Sequence, residues 1–141
     1  MSKSIKTLIK LSKFNVDEKR RVLLALQERE EQIIDEIKRS EEQLAEEQRI
    51  AAEDSTGAGF AYGAYAKSWL GRREQLFRML DSVRAEIITA RDAVAEAFSE
   101  LKTYETVLKE RERRAREEAD RKEQTFLDEV GLNMFRQRET P

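Results

Sequence analysis

A stripe of apolar positions runs from Tyr62 to Leu108 and is the strongest pattern in the sequence. The stripe advances alternately by four and three residues, and Arg73 is its one member that is not apolar. Apolar residues at a mean spacing of about 3.5 residues over several heptads are typical of a coiled-coil helix, which needs a second helix to cover the stripe. The predicted seam residues of this helix are Trp69, Leu76, Leu80, Val83, Ile87, Val94, Leu101 and Leu108.

A second stripe in the same four-three register runs from Ile5 to Ala51. Nine of its fourteen positions are apolar, which favours one continuous helix over this stretch. Asn15 and Glu18 have the spacing of a capping box, so a helix that begins at residue 15 and leaves residues 1–14 as a separate arm is the alternative. The predicted seam residues of this helix are Leu23, Leu26, Ile33, Ile37 and Leu44.

A concentrated break separates the two stripes at Asp54 to Gly59. Asp, Ser and Thr side chains cap helices, and glycine tolerates the backbone angles of a chain reversal, so we expect a hairpin turn here. Gly63 and Gly71 lie inside the second helix and are expected to permit close approach of the helices near the turn. Gly131 is the first plausible stop of the second helix. The predicted elements are helix one at about 4–53, a turn at about 54–59, helix two at about 60–130 and a short tail at 131–141.

The two stripes match each other when they are paired in opposite directions. If Ala51 lies opposite Tyr62, then Ile5 lies opposite Leu108, and the apolar stripe of the second helix ends at that residue. At about 1.5 Å per residue, the pairing predicts a hairpin of about 70 Å with an overhang of about 30 Å. The predicted fold is therefore all-α: a long antiparallel two-helix coiled-coil hairpin with the C-terminal helix overhanging, as a single coiled-coil domain over residues 1–141.

The composition narrows the classes of function. Charged residues make up 40% of the chain, which suits helices that bury a narrow seam rather than a thick globular core. The chain contains no cysteine and no histidine, so disulfides, thiol nucleophiles, histidine relays and ordinary zinc sites are excluded. We therefore expect no enzyme, no catalytic residues, no cofactor and no metal.

The first fourteen residues are basic and amphipathic, and they allow two interpretations. Lysines alternate with Ile5, Leu8 and Ile9, which is the composition of a helix that lies on a membrane surface. The favoured interpretation is the start of helix one, because Ile5 and Ile9 fit its register. The chain has no apolar run of about 18 residues and no secretory signal features at its start, so we expect a cytoplasmic protein without direct membrane insertion.

Charge is distributed unevenly along helix one. Residues 1–24 carry seven basic and two acidic side chains, whereas residues 28–54 carry four basic and eleven acidic ones. The net charge is only −2 and no aromatic side chain interleaves the lysines, so we expect no nucleic acid partner. The basic residues at the start of helix one would fit an acidic cavity of a protein partner as well as they would fit nucleic acid. Tyr65 lies off the seam near the turn and is a candidate for a second partner surface.

The predicted overhang combines mixed charge with apolar residues at its end. Residues 109–122 alternate in charge at spacings of three and four, which supports an isolated helix. Apolar residues at the end of an unsupported helix imply that a partner covers them. The alternative is a C-terminal piece that folds back on the hairpin or frays. The apolar residues are Phe126, Leu127, Val130, Leu132, Met134 and Phe135.

Three places in the sequence carry a resemblance to a known family. They are residues 7–11 with 17–21, residues 59–65 at the start of helix two, and residues 108–111 leading to residues 122–129, which end in Gln-x-x-Leu-Asp-Glu at 124–129. Over its whole length the chain resembles the bacterial flagellar export protein FliJ, a small antiparallel coiled coil of the flagellar type III export apparatus. A stalk protein of a virulence type III secretion system is the alternative within this architecture, and a structural coiled-coil scaffold is the alternative outside it.

The resemblance implies a function without chemistry of its own. FliJ proteins act as a stalk in the central pore of the hexameric export ATPase FliI, and they contact the export gate protein FlhA and export chaperones. This implies a chain that stimulates the ATPase and lies in the cytoplasm at the flagellar basal body, where it supports flagellum biogenesis and motility. The residues that the resemblance assigns to the ATPase pore end are Ile5, Leu8, Ile9, Lys10, Arg111, Arg114, Lys122, Gln124, Leu127, Asp128 and Glu129.

Overall fold

The chain folds into two long helices that pack against each other. A computed structural model describes residues 2–53 and 58–139, and all of these residues are helical. Helix α1 spans Ser2–Glu53 and helix α2 spans Ala58–Glu139. The predicted all-α hairpin is therefore confirmed. Residues 54–57 of the predicted turn lie outside the described residues, and its last two residues, 58 and 59, belong to α2.

Ion pairs between the helices show that they run in opposite directions. Glu30 of α1 lies 3.4 Å from Arg84 of α2, and Glu41 lies 3.9 Å from Arg73. Eleven residues forward along α1 thus correspond to eleven residues back along α2. The predicted pairing has this direction, because it places the end of α1 beside the start of α2.

Helix α1 is continuous through Asn15. An N-cap residue has non-helical backbone, whereas Asn15 is helical together with the residues on both sides. The predicted continuity is confirmed, and the capping-box alternative at Asn15 and Glu18 is wrong. Glu18 instead accepts a hydrogen bond of 2.8 Å from Arg21, one turn later on the exposed side of the helix.

The predicted stop at Gly131 is wrong, because α2 passes through this residue and ends at Glu139. A glycine ends a helix when it takes the left-handed conformation, and Gly131 keeps a helical backbone. The residues after it are compatible with a helix, and Arg136 and Arg138 lie in the last turn, where positive charge complements the helix dipole. Glycine within a helix costs about 1 kcal/mol relative to alanine, which weakens the helix without ending it.

Gly63 and Gly71 do not serve a close approach between the helices. A methyl group added to the α-carbon of either residue would meet no atom within 4 Å. Both residues are exposed, so they lie on the side of α2 that faces away from α1. The expectation of close packing at these glycines is therefore wrong, because their spacing does not follow the seam.

Contacts divide the chain into two units, which are described separately. The central unit is Asn15–Ala97, and the terminal unit combines Met1–Phe14 with Phe98–Pro141. The core of the central unit is a single layer of interlocking side chains from both helices, with no side chain of the described residues fully enclosed. Burial of each large aliphatic side chain contributes about 1.5–3 kcal/mol. The core consists of Ile33, Ile37, Leu76, Leu80, Val83 and Ile87, with Leu23, Leu26 and Met79 packed against it.

Arg73 occupies a seam position in the register but extends out of the seam. Its guanidinium lies 4.8 Å from the centre of the Phe77 ring and 5.8 Å from that of Trp69, and it approaches Glu41. The indole Nε1 of Trp69 donates a hydrogen bond of 2.8 Å to the backbone carbonyl of Ser40. The guanidinium of Arg73 thus interacts at the edge of the seam with one carboxylate and the faces of two aromatic rings.

The terminal unit contains a short packed part and a bare helix. Ile5, Ser12 and Leu101 are buried in the packed part, and Leu108 is half-buried. Glu110 is the last described residue that is not fully exposed, and every residue from 111 to 139 is exposed. We call residues 111–139 the overhang, and the predicted overhanging C-terminal helix is confirmed.

Candidate partner-binding surfaces

The overhang is supported by ion pairs between side chains of α2 itself, beginning at Glu110 just before it. Arg113 bridges Glu110 on one side and Glu117 on the other, and Arg114 lies 3.2 Å from Glu110. Further along, Lys122 lies 3.6 Å from Glu118. Pairs of opposite charge three or four residues apart stabilise an isolated helix. The sequence therefore keeps this segment helical without a second helix beside it.

The same network shifts two pKa values. The hydrogen bond from Arg113 is the main reason that the pKa of Glu110 lies below its ordinary value of 4.5. Partial desolvation opposes this shift, and the charges of Arg113 and Arg114 add to it. The hydrogen bond to Glu110 in turn raises the pKa of Arg113. Both groups remain charged at neutral pH.

The overhang ends in large apolar side chains that no part of the described chain covers. Phe126 is 64% exposed and Phe135 is 58% exposed. Since α2 continues to Glu139 with every overhang residue exposed, the alternative in which the C-terminal piece folds back on the hairpin is wrong. The exposed apolar residues are Phe126, Leu127, Val130, Leu132, Met134 and Phe135.

All predicted partner-binding residues of the overhang lie on its surface. Gln124 donates a hydrogen bond of 3.1 Å to Asp128, which links two of them along one side of the helix. Arg114 and Lys122 already pair with Glu110 and Glu118. An acidic group of a partner would therefore have to displace these carboxylates. The predicted residues of the overhang are Arg111, Arg114, Lys122, Gln124, Leu127, Asp128 and Glu129, and each of them is exposed.

The predicted residues near the start of α1 divide into two groups. Ile5 is buried and Ile9 is half-buried, so these side chains pack within the terminal unit. Leu8 and Lys10 are exposed and accessible to a partner. Two residues outside the predicted set, Leu11 and Phe14, are among the most exposed apolar residues of α1. Their departure from the four-three register is the signal that could have identified them.

Tyr65 is half-buried in the central unit and lines a shallow groove. The groove has a volume of about 440 Å³ and lies between the helices. Trp69 and Arg72 line it from α2, and Arg72 forms an ion pair of 2.6 Å with Glu36 of α1. The groove is therefore a mixed polar and aromatic surface rather than an apolar pocket.

The predicted seam residues form the packed faces of both helices. Seven are buried, and Leu23, Leu26, Leu44, Trp69, Val94 and Leu108 are half-buried. The buried residues are Ile33, Ile37, Leu76, Leu80, Val83, Ile87 and Leu101.

The described residues offer neither a membrane span nor a metal site. Neither helix is apolar enough over sufficient length to cross a lipid bilayer, as far as residues 2–53 and 58–139 show. Over the same ranges, acidic residues form no group of three or more that could hold a metal ion.

Comparison with known proteins identifies the family. The family model described as the flagellar FliJ protein matches residues 1–140. No curated protein and no solved structure matches the chain. Because the match covers nearly the whole chain, the chain belongs to the flagellar FliJ protein family, a family of components of flagellar type III export.

Proposed function

We propose that this chain is the stalk of the flagellar type III export apparatus and that its overhang enters the central pore of the hexameric ATPase FliI. Membership of the FliJ family supports a place in the flagellar type III export apparatus. The observation that carries the proposal is the overhang itself, a helix that is exposed from residue 111 to 139 and has large apolar side chains near its end. Such a helix stabilises nothing within the chain, so its apolar residues suit a partner.

The distribution of these apolar residues favours a partner that surrounds the helix. Successive residues of an α-helix are turned by about 100°, so Phe126 and Val130 share one side while Leu132 and Phe135 lie on the opposite side. A flat partner would cover one of these sides and leave the other in water. The wall of a pore covers both, and a single helix of about 10–12 Å in diameter requires only a narrow one.

The central unit provides the surface proposed for the other export partners. In this proposal the gate protein FlhA and the export chaperones contact the hairpin body while the overhang remains in the ATPase. The groove beside Tyr65 and Trp69 is the candidate that we propose on this unit, because it combines ring faces with the charged groups of Arg72 and Glu36. The chain would then act in the cytoplasm at the basal body.

The ATPase rate of the cognate FliI tests the proposal directly. We expect the full-length chain to stimulate hydrolysis and a shortened chain that ends at Leu108 to lose the stimulation. Circular dichroism of both chains serves as the folding control, because the packed parts of the helices end near Leu108. Absence of stimulation by either chain, with both well folded, would contradict the stalk proposal and favour a scaffold or chaperone-escort role.

Point variants locate the working surface without shortening the chain. Leu127→Asp combined with Phe135→Asp should reduce the stimulation by about tenfold, because an apolar contact that is lost at the centre of an interface costs at least about 1.4 kcal/mol. Leu70→Asp combined with Ile88→Asp is the matched control, since both residues are similarly exposed but lie in the central unit. Equal losses in the two double variants would contradict the assignment to the overhang.

A further inference from the structure

We propose that the outward side of the first turns of α1 binds an anionic lipid surface. The surface consists of Leu11 and Phe14 with the ammonium groups of Lys6, Lys10 and Lys13 beside them, and we call it the α1 patch. This inference goes beyond the stalk proposal, because apart from Lys10, which the resemblance also assigns to the ATPase pore end, it rests on residues that neither the hairpin packing nor the overhang uses.

The apolar part of the α1 patch is not explained by packing within the chain. Ile5 is buried and Ile9 is half-buried, so the seam accounts for these two residues. Leu11 is 60% exposed and Phe14 is 63% exposed, because both lie on the side of α1 that faces away from α2. One turn of α1 therefore presents two large apolar side chains to the surroundings on a convex surface.

The charged part of the α1 patch is uniformly positive. At about 100° per residue, Lys6, Lys10 and Lys13 fall within about 60° of one another, Phe14 lies about 40° beyond this arc, and Leu11 lies about 60° beyond Phe14. None of the three lysines forms an ion pair with another described residue. The patch itself contains no carboxylate, but the first acidic residues of the sequence, Asp17 and Glu18, border it one helical turn beyond Lys13 and Phe14.

This combination fits an anionic bilayer interface. A convex helix surface can press apolar side chains a short distance into the boundary between headgroups and acyl chains, while lysine ammonium groups reach the lipid phosphates. The contact needs no preformed pocket on the other side, which suits two side chains that protrude from one turn. The overhang lacks this combination, since Asp128 and Glu129 stand among its apolar residues and would be repelled by anionic lipid.

Co-sedimentation of the full-length chain with lipid vesicles tests the proposal. We expect binding to vesicles of phosphatidylcholine and phosphatidylglycerol in about equal parts, and several-fold weaker binding to phosphatidylcholine alone. Added salt should weaken the binding, because it screens the lysine charges. A chain that stays in solution with the anionic vesicles, or that binds both kinds of vesicle equally, would overturn the proposal.

Matched variants separate the α1 patch from general electrostatic attraction. Leu11→Gln combined with Phe14→Gln should reduce binding to anionic vesicles by about tenfold. Leu70→Gln combined with Ile88→Gln removes apolar residues of similar exposure from the central unit and should leave binding unchanged. Unchanged melting temperatures would show that both variants are folded. If the Leu11 and Phe14 variant binds anionic vesicles as strongly as the wild-type chain does, the proposal is overturned.

An acidic protein partner is the competing occupant of the α1 patch, and the same variants identify it. If the wild-type chain ignores anionic vesicles while the Leu11 and Phe14 variant fails to stimulate the ATPase, the patch docks a protein and the lipid proposal is wrong. If the variant loses vesicle binding but stimulates the ATPase normally, the lipid proposal is supported. The two proposed activities thus fail separately.

Discussion

The central unit and the overhang contain similar residues, but the large apolar side chains are buried in the first and exposed in the second. Both consist of charged helices with large apolar side chains, and both include part of α2. In the central unit Val83 is 3% exposed because its register brings it against α1, whereas Phe126 in the overhang is 64% exposed. Apolar content alone therefore does not make a core. A core forms where a second helix in matching register covers the apolar side chains.

Charged side chains differ between the two regions in the same way. In the central unit Glu36 pairs with Arg72 and Glu30 with Arg84, so these ion pairs join the two helices. In the overhang Arg113 pairs with carboxylates of its own helix. Pairs between helices favour one alignment of the hairpin, whereas pairs within a helix support only the local backbone.

The largest expected effect is a difference in the free energy of unfolding between variants of two neighbouring isoleucines in the central unit. Ile87→Asp places an unpaired charge in the seam and should reduce the free energy of unfolding by about 3 kcal/mol or more. Ile88→Asp changes the next residue, which is 62% exposed, and should cost no more than about 0.5 kcal/mol. Thermal melting followed by circular dichroism measures both. Equal melting temperatures for the two variants would show that the seam is assigned to the wrong face.

A smaller effect is expected at the edge of the seam. Trp69→Phe keeps an aromatic ring but removes the hydrogen bond to the Ser40 carbonyl, which should cost about 1 kcal/mol. Tyr104→Phe is the control in the terminal unit, because its hydroxyl donates only to Glu100 of the same helix on the exposed surface. We expect no measurable change in melting temperature for Tyr104→Phe. A larger loss for Tyr104→Phe than for Trp69→Phe would contradict this account.

The smallest effect concerns the overhang network and its dependence on pH. The pKa of Glu110 lies below 4.5, so its ion pairs support the helix fully above that pH and are lost as the pH falls through the lowered pKa. Titration of the Glu110 carboxyl by nuclear magnetic resonance should therefore give a midpoint below 4.5. Arg113→Gln should raise the midpoint, because the main hydrogen-bond donor is removed. An unchanged midpoint in the variant would mean that Arg113 does not hold Glu110 in solution.

The register of apolar residues was sufficient to predict how the helices pair. Two stripes with the same four-three spacing match along their length, the short break between them requires opposite directions, and the end of the second stripe predicts where the overhang begins. The signal is strong because it repeats over many turns, and no single residue decides it. Arg73 shows its limit, since the register places this residue in the seam and the long side chain leaves it for Glu41 and Phe77.

Features that depend on single residues were harder to predict. Glycine permits a helix to end without requiring it, so Gly131 could not reveal that α2 continues to Glu139. Leu11 and Phe14 were present in the amphipathic segment, but their exposure follows from which side of α1 meets α2. The position of the partner-binding residues stays a prediction, because a helix that is exposed on all sides does not select one face.

Site-specific photo-crosslinking in a mixture of this chain and its cognate FliI tests most directly whether the overhang is the working surface. A photo-reactive amino acid replaces Leu127 in one chain and Ile88 in another, since both side chains are exposed but lie in different units. We predict a crosslink to the ATPase from position 127 and none from position 88. A crosslink from position 88 with none from position 127 would contradict the account.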